Sequence, residues 1–384
     1  MPHPPRILVA LEWYDHEMHS GVAQYARQAG WVLDNWMVHF GRIPAHWRGD
    51  GIIGLVVDPH GDVARFLRHW RRPAVDLVRE VPGLKVPRVL ADNQAIGRVA
   101  AEHLLSCGLK HLAFCYLWGN WVEGERMRGF QQAVEKAGRN FYPLDFTPHP
   151  HHRLRAIDDV LRSWMVRQLK RLPQPLGVLG QYDEEALLVM QACQASGLRI
   201  PEDVAVVGVD NDVLSCELGP VPLSSVDRRR REHGYQGAAL LDRLMHGEKR
   251  PLEPIRVAPG PVVVRRSSNV LAVNDPDLTQ ALRFIAEHYR EPNLRVTDVV
   301  KATFTTRSRL YQLFEQHIGR SIKAQIRRQR VDHARQLLLT SRQKLYSIAR
   351  VAGFRDAEHL TRVFKHDLNM APSQFREQKS GIWP

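Results

Sequence analysis

The chain has 384 residues, is 44% hydrophobic and carries a formal charge of +13, which excludes a disordered or collagen-like polymer and allows two or three compact units. The charge is unevenly placed: residues 278–384 hold 20 Lys and Arg against 9 Asp and Glu, while residues 1–277 hold 34 against 32. A nearly neutral body with a basic tail suits attraction to nucleic-acid phosphates.

Along residues 1–270, strands are predicted at 7–11, 31–40, 51–58, 74–78, 88–91, 111–117, 177–181, 204–210 and 262–265. Helices are predicted between them, at 19–29, 62–70, 94–107, 125–137, 154–170, 184–196 and 229–246. This alternation points to parallel sheets covered by helices on both faces, and so many strands call for two lobes. No apolar run approaches the roughly 18 residues of a membrane span. No apolar leader precedes Ile7, so a cytoplasmic location is expected. Cys107, Cys115, Cys193 and Cys216 lack C-x-x-C spacing and read as buried thiols.

Ligands of such sheets bind beyond the carboxyl ends of the strands. Those ends carry Asp58, Asp92-Asn93, Asp183 and Asp210-Asn211-Asp212, and the loops add Trp13, Asp15, Trp118, Trp121 and Arg126. Carboxylates and Arg can bond sugar hydroxyls while indole rings stack on C–H faces. Each Asp can equally serve as a helix N-cap. His149, His151 and His152 lie in a Pro-rich loop without regular ligand spacing, so no metal is expected. The basic run Arg228 to Arg231 reads as a solvated helix face. No G-x-G-x-x-G, Walker, Gly-x-Ser-x-Gly or HExxH pattern is present, so neither catalysis nor a cofactor is expected.

Asp92-Asn93-x-x-x-Gly97, Pro201 to Asp210, Ser224-Ser225-Val226 and Val264 to Ser268 resemble the ligand-binding core of LacI-family regulators. That resemblance implies a periplasmic-binding-protein-like domain of two Rossmann-like lobes, hinged around a ligand cleft. The chain begins at the first strand, without that family's N-terminal DNA-binding helices, so DNA reading is expected from the tail.

After a linker at 269–277, with Asp275 or Asp277 suited to cap, a helix is predicted at 278–289 and broken by Glu291-Pro292-Asn293. A first helix–turn–helix spans 296–301 and 306–317, with Leu310, Leu313 and Phe314 inward and Arg307, Ser308, Arg309 and Gln312 available to a major groove. A connector helix at 322–339 leads to a second unit. There Leu360, Val363 and Phe364 face inward, leaving Asp356, Glu358, His359, Thr361, Arg362 and Lys365 for bases and phosphates. An offset of about fifty residues lays Ala302 on Ala352, Phe304 on Phe354 and Leu310 on Leu360, the mark of a duplicated reading unit.

Ile348-Ala349, Gly353-Phe354, Phe364-Lys365, Pro372 and Phe375-Arg376 resemble the AraC family's DNA-binding domain. Thr303-Phe304 and Asn369 stand where that family usually has Gly. The combined chain, including Tyr14-Asp15, Gly21-Val22 and Glu125-Arg126, is similar to the xylose-operon regulators. The resemblance implies a dimeric transcription activator acting with RNA polymerase at a DNA operator, its cleft taking a pentose such as xylose. Repression, or a different sugar, fits the same architecture. A sugar-processing enzyme would need an acid–base pair, and a transport binding protein would need export; neither is indicated. The expected architecture is a two-lobed α/β effector domain at 1–268, the linker, and an all-α AraC-type domain at 278–384.

Overall fold

The structure is a computed structural model that describes residues 3–78, 81, 83–117, 121–146, 157–219, 221–269, 275–318, 320–341, 343–368 and 370–380. By contacts the chain divides into one unit of residues 1–105 and 110–269 and another of 106–109 and 270–384.

In the first unit, β1 (Arg6–Leu11), α1 (His16–Ala29), β2 (Val32–Asp34), α2 (Trp36–Phe40), β3 (Gly51–Leu55), α3 (Asp62–His69) and β4 (Ala74–Asp76) build the first lobe. Its sheet has the order β2-β1-β3-β4 and is parallel throughout, with Leu8 opposite Ile52 and Ile53 opposite Val75. β5 (Val89–Ala91) and α4 (Asn93–Ser106) carry the chain to the second lobe. There β6 (His111–Tyr116), α5 (Trp121–Lys136), β7 (Asn140–Asp145), α6 (Ile157–Arg171), β8 (Leu176–Gly180), α7 (Asp183–Ser196), β9 (Val204–Val209), α8 (Val213–Leu218) and β10 (Ser224–Val226) follow. α9 (Arg230–Met245) returns to pack along α1, close enough that a Cβ added at Gly21 would overlap the Arg231 carbonyl. β11 (Ile255–Val257) pairs with β5, and β12 (Val262–Val263) joins the second sheet, ordered β12-β10-β9-β8-β6-β7. Only β12 runs antiparallel there among the described strands. All six residues of β9 are buried, as strands covered on both faces require.

Local chemistry moved several expected bounds. The strand foreseen at 31–40 stops at Asp34, whose carboxylate accepts from the Trp36 amide at 3.1 Å and turns the chain into α2. β7, unforeseen, contains Pro143 and runs at the sheet edge, where a missing N–H is tolerated. β10 has three residues, too few to show alternation, and its Ser224 and Ser225 are buried with their hydroxyls bonded.

The second unit is helical: α10 (Pro276–His288), α11 (Val296–Lys301), α12 (Arg307–Leu313) continuing into a π-helical turn at Phe314–Ile318, α13 (Ile322–Thr340), α14 (Leu345–Val351), α15 (Ala357–Leu368) and α16 (Pro372–Ser380). Asp275 caps α10, accepting from the Asp277 and Leu278 amides at 3.0 and 3.2 Å, with Pro276 at the first helical position. Two small cores form. Leu278, Ile285, Val299, Leu310, Leu313 and Phe314 enclose the first, and Ile348, Ala349, Phe354, Leu360, Phe364 and Phe375 the second. α13 serves both, giving Ile322 and Ile326 to one and Val331, Ala334 and Leu338 to the other.

Candidate functional site

In the first unit the loops after β1, β9 and β10 meet. Asp15 caps α1, its Oδ1 accepting from the Met18 amide at 2.9 Å, while its Oδ2 lies 3.3 Å from Arg230 and 3.5 Å from Arg228. Asp210, at the end of β9, pairs with Arg228 Nε at 2.7 Å, and Asp212 lies 3.8 Å from Arg230. Two arginines, Arg228 in the loop after β10 and Arg230 at the start of α9, therefore join a carboxylate of the first lobe to two of the second. This corrects the expectation of a solvated run: the side chains of Arg228 and Arg230 are only 14% and 15% exposed. The missed strand β10 hid the signal, since Arg228 follows a strand's carboxyl end.

Beneath this network Arg126 is fully buried on α5. It donates to the Gln181 carbonyl and to Asn93 Oδ1, the latter at 2.9 Å, and its guanidinium sits 4.8 Å from the centre of the Tyr182 ring. Burial lowers its pKa. Asp183 is also enclosed: one oxygen accepts from the Ser225 hydroxyl at 2.5 Å, the other from the Asp212 amide at 2.8 Å. Burial pushes its carboxyl up to about 7. Asp183 thus holds the loop that presents Asp210 and Asp212. Asp210, Asn211 and Arg229 have φ of 111°, 52° and 53°, strained values that concentrate at ligand-binding sites.

The other expected cleft residues are dispersed. Asp58 closes a turn, accepting from the His60 amide at 2.8 Å, and its own amide donates to Glu12 at 2.8 Å. Trp13 is exposed on the loop before Asp15. Trp118 and the side chain of Trp121 lie outside the described residues, as do His149, His151 and His152. Gln181 went unnoticed as a site residue because nothing in its spacing marks it, whereas Asn93, expected with Asp92 at a strand's end, is placed here as a partner of Arg126.

In the second unit each residue along a helix turns by about 100°. With Leu310, Leu313 and Phe314 inward, Ser308 and Gln312 point directly away from the core, and Glu358, Arg362 and Lys365 do so on α15; all five are exposed. Arg307 lies on one flank with its guanidinium 5.5 Å from the Tyr311 ring. Arg309 lies on the other flank and pairs with Asp275 at 3.4 Å. Its counterpart His359 packs edge-on against Phe354, and burial lowers its pKa. Asp356 accepts from the His359 amide at 2.7 Å at the start of α15, and the Thr361 hydroxyl donates to the Ala357 carbonyl at 2.8 Å.

The two turns differ. Gly353, at φ 85°, lets Phe354 enter the core at 1% exposure. Thr303 keeps to negative φ and donates its hydroxyl to the Val300 carbonyl at 2.8 Å, and Phe304 is left 94% exposed. The fifty-residue match of Phe304 with Phe354 thus holds in sequence and fails in burial. Asn369 lies outside the described residues.

Residues 101–268 match the model of a periplasmic binding protein-like domain, and residues 299–378 that of a helix-turn-helix domain. The xylose operon regulatory protein of Haemophilus influenzae is 30% identical over 381 residues, covering 94% of this chain and 95% of its own length. That of Escherichia coli is 29% identical over 386 residues, covering 96% and 95%. The solved structure of the xylose-binding transcription activator XylR is similar with a TM-score of 0.63 and 26% identity, covering 98% of this chain and 99% of that one. Among the described residues no helix is long and apolar enough to cross a membrane. A sugar-binding type of α/β unit followed by paired helix–turn–helix units, matched over nearly the full length, places the chain in the xylose operon regulatory protein family: it is a sugar-responsive, DNA-binding transcription regulator.

Proposed function

We propose that this regulator is a cytoplasmic, homodimeric activator whose effector is an unphosphorylated pentose of the xylose type, taken up where Asp15, Arg228 and Asp210 meet. The observation that carries this is charge balance. Asp15, Asp210 and Asp212 are matched by Arg126, Arg228 and Arg230, so the site has no surplus charge to hold an anion. It has many directional donors and acceptors for hydroxyls, and Trp13 stands ready to cover a C–H face. Arg126 and Asp183 support this set from below, and Asp58, Trp118 and Trp121 are proposed as further contacts from their places in the sequence. The names of the relatives favour xylose among pentoses.

The domain limits are proposed as 1–268 and 278–384. On the DNA side, Ser308, Gln312, Glu358, Arg362 and Lys365 read or grip the grooves, with Arg307, Asp356 and Thr361 beside them. Arg309 and His359 act on the flanks. Activation through RNA polymerase is the reading of a helix–turn–helix regulator bound beside a promoter.

A thermal-shift screen of pentoses, hexoses and sugar phosphates tests the effector, because stabilisation follows affinity by mass action. One free pentose should stand out, and Asp210→Ala should abolish its shift while operator binding persists. A larger shift with a sugar phosphate would overturn the assignment.

A further inference from the structure

The last carbonyls of a helix have no partner within it. Just past α10, the carbonyl of its C-terminal cap Tyr289 and that of Glu291 in the turn that follows are both bonded by one side chain. Arg330, on α13 and 8% exposed, donates its Nε to the Tyr289 carbonyl and its Nη2 to that of Glu291, both at 2.7 Å. His333, one turn further on, bonds the Tyr289 hydroxyl at 3.2 Å with the rings edge to face. The turn of the second helix–turn–helix closes on the same place. A Cβ added at Gly353 would overlap the Tyr289 carbonyl oxygen and lie 2.8 Å from the Arg290 Cα. The connector helix and the second reading unit thus both seat on the turn Tyr289–Glu291 that follows α10.

We infer that Arg330, with Gly353 as its steric counterpart, is a positioning residue that fixes the separation and angle of α12 and α15, and so sets the spacing between the two DNA elements the tail reads. The inference rests on the proposed reading that both helices enter DNA. A charged fork donating to one helix-end carbonyl and one carbonyl of the adjoining turn is stronger than a neutral bond and is directional. Lysine offers no such fork, so Arg330→Lys keeps the charge and loses the geometry. Inserting one base pair between the elements separates them by about 3.4 Å and rotates them by about 35°, a displacement that a rigid pair of readers cannot follow.

The test uses the full chain and a duplex selected by it from a random-sequence library. Fluorescence anisotropy compares that duplex with versions carrying one inserted base pair and with a duplex bearing a single element. The parent chain should lose about tenfold on insertion, the order of one poor base-pair contact. Arg330→Met should shrink that ratio to about threefold or less while binding the single element within about twofold of the parent; Arg330→Lys should fall between. An unchanged insertion ratio, or equal losses on single-element and paired DNA, would overturn the inference. If Arg330→Met fails to fold by circular dichroism, Arg330→Lys and Gly353→Ala carry the same comparison. Gln312→Ala and Arg362→Ala serve as controls: if neither weakens binding to the selected duplex, it is the underlying reading that fails.

Discussion

Asp183 and Asp210 follow the neighbouring strands β8 and β9 and meet different surroundings. Asp210 is paired with Arg228 at the meeting of the lobes, whereas Asp183 is enclosed, its carboxyl raised by burial from 3.8 to about 7. Below the lower value both the folded and unfolded chains hold the proton, and above the higher value neither does. In between, the folded chain keeps a proton that the unfolded chain has released, so this group's contribution weakens as pH rises from about 4 to about 7. Asp183→Asn removes the titration. The melting temperature of the variant minus that of the parent should therefore become more positive from about pH 5 to about pH 8. An identical difference at both values would show that the carboxyl is solvated.

Among the elements, the duplicated helix–turn–helix shows what patterning can reveal. Leu310 and Leu360, and Phe314 and Phe364, are each 0% exposed, as their i, i+3, i+4 spacing requires. Caps were legible too, because Asp275 followed by Pro276 is a local signal. The turns were not, since Gly353 takes the left-handed conformation while Thr303 does not and bonds its hydroxyl to the Val300 carbonyl. Phe304→Ser should alter stability by no more than about 0.5 kcal/mol, as for other exposed positions. Phe354→Ser should cost about 3–5 kcal/mol. Hydrogen exchange over residues 345–368 reads the difference, with faster exchange expected in the second variant alone. The proposed site was half legible: Asp15, Arg126 and Asp210 were marked by strand ends and resemblance, but Arg228 and Arg230 sit behind a three-residue strand that no periodicity can reveal.

At the scale of the molecule, charge is divided by task. The tail carries 20 Lys and Arg against 9 Asp and Glu, so operator affinity should fall steeply with salt. With six or more phosphates engaged, the slope of log affinity on log salt should be steeper than about −5. Arg362→Ala should reduce it by about one if that side chain grips a phosphate. A shallow slope would mean that base edges and not the backbone supply the affinity.

The pairing of Arg228 and Arg230 with Asp15, Asp210 and Asp212 has a consequence for the cell. Because these ions pair at 2.7–3.8 Å and buried Arg126 supplies the third cation against three carboxylates, an uncharged guest arriving there displaces few counterions. Titration calorimetry should find its affinity almost indifferent to potassium over a range that strips the protein from DNA. Osmotic stress would then change how many promoters are occupied without changing the concentration of nutrient that the regulator registers.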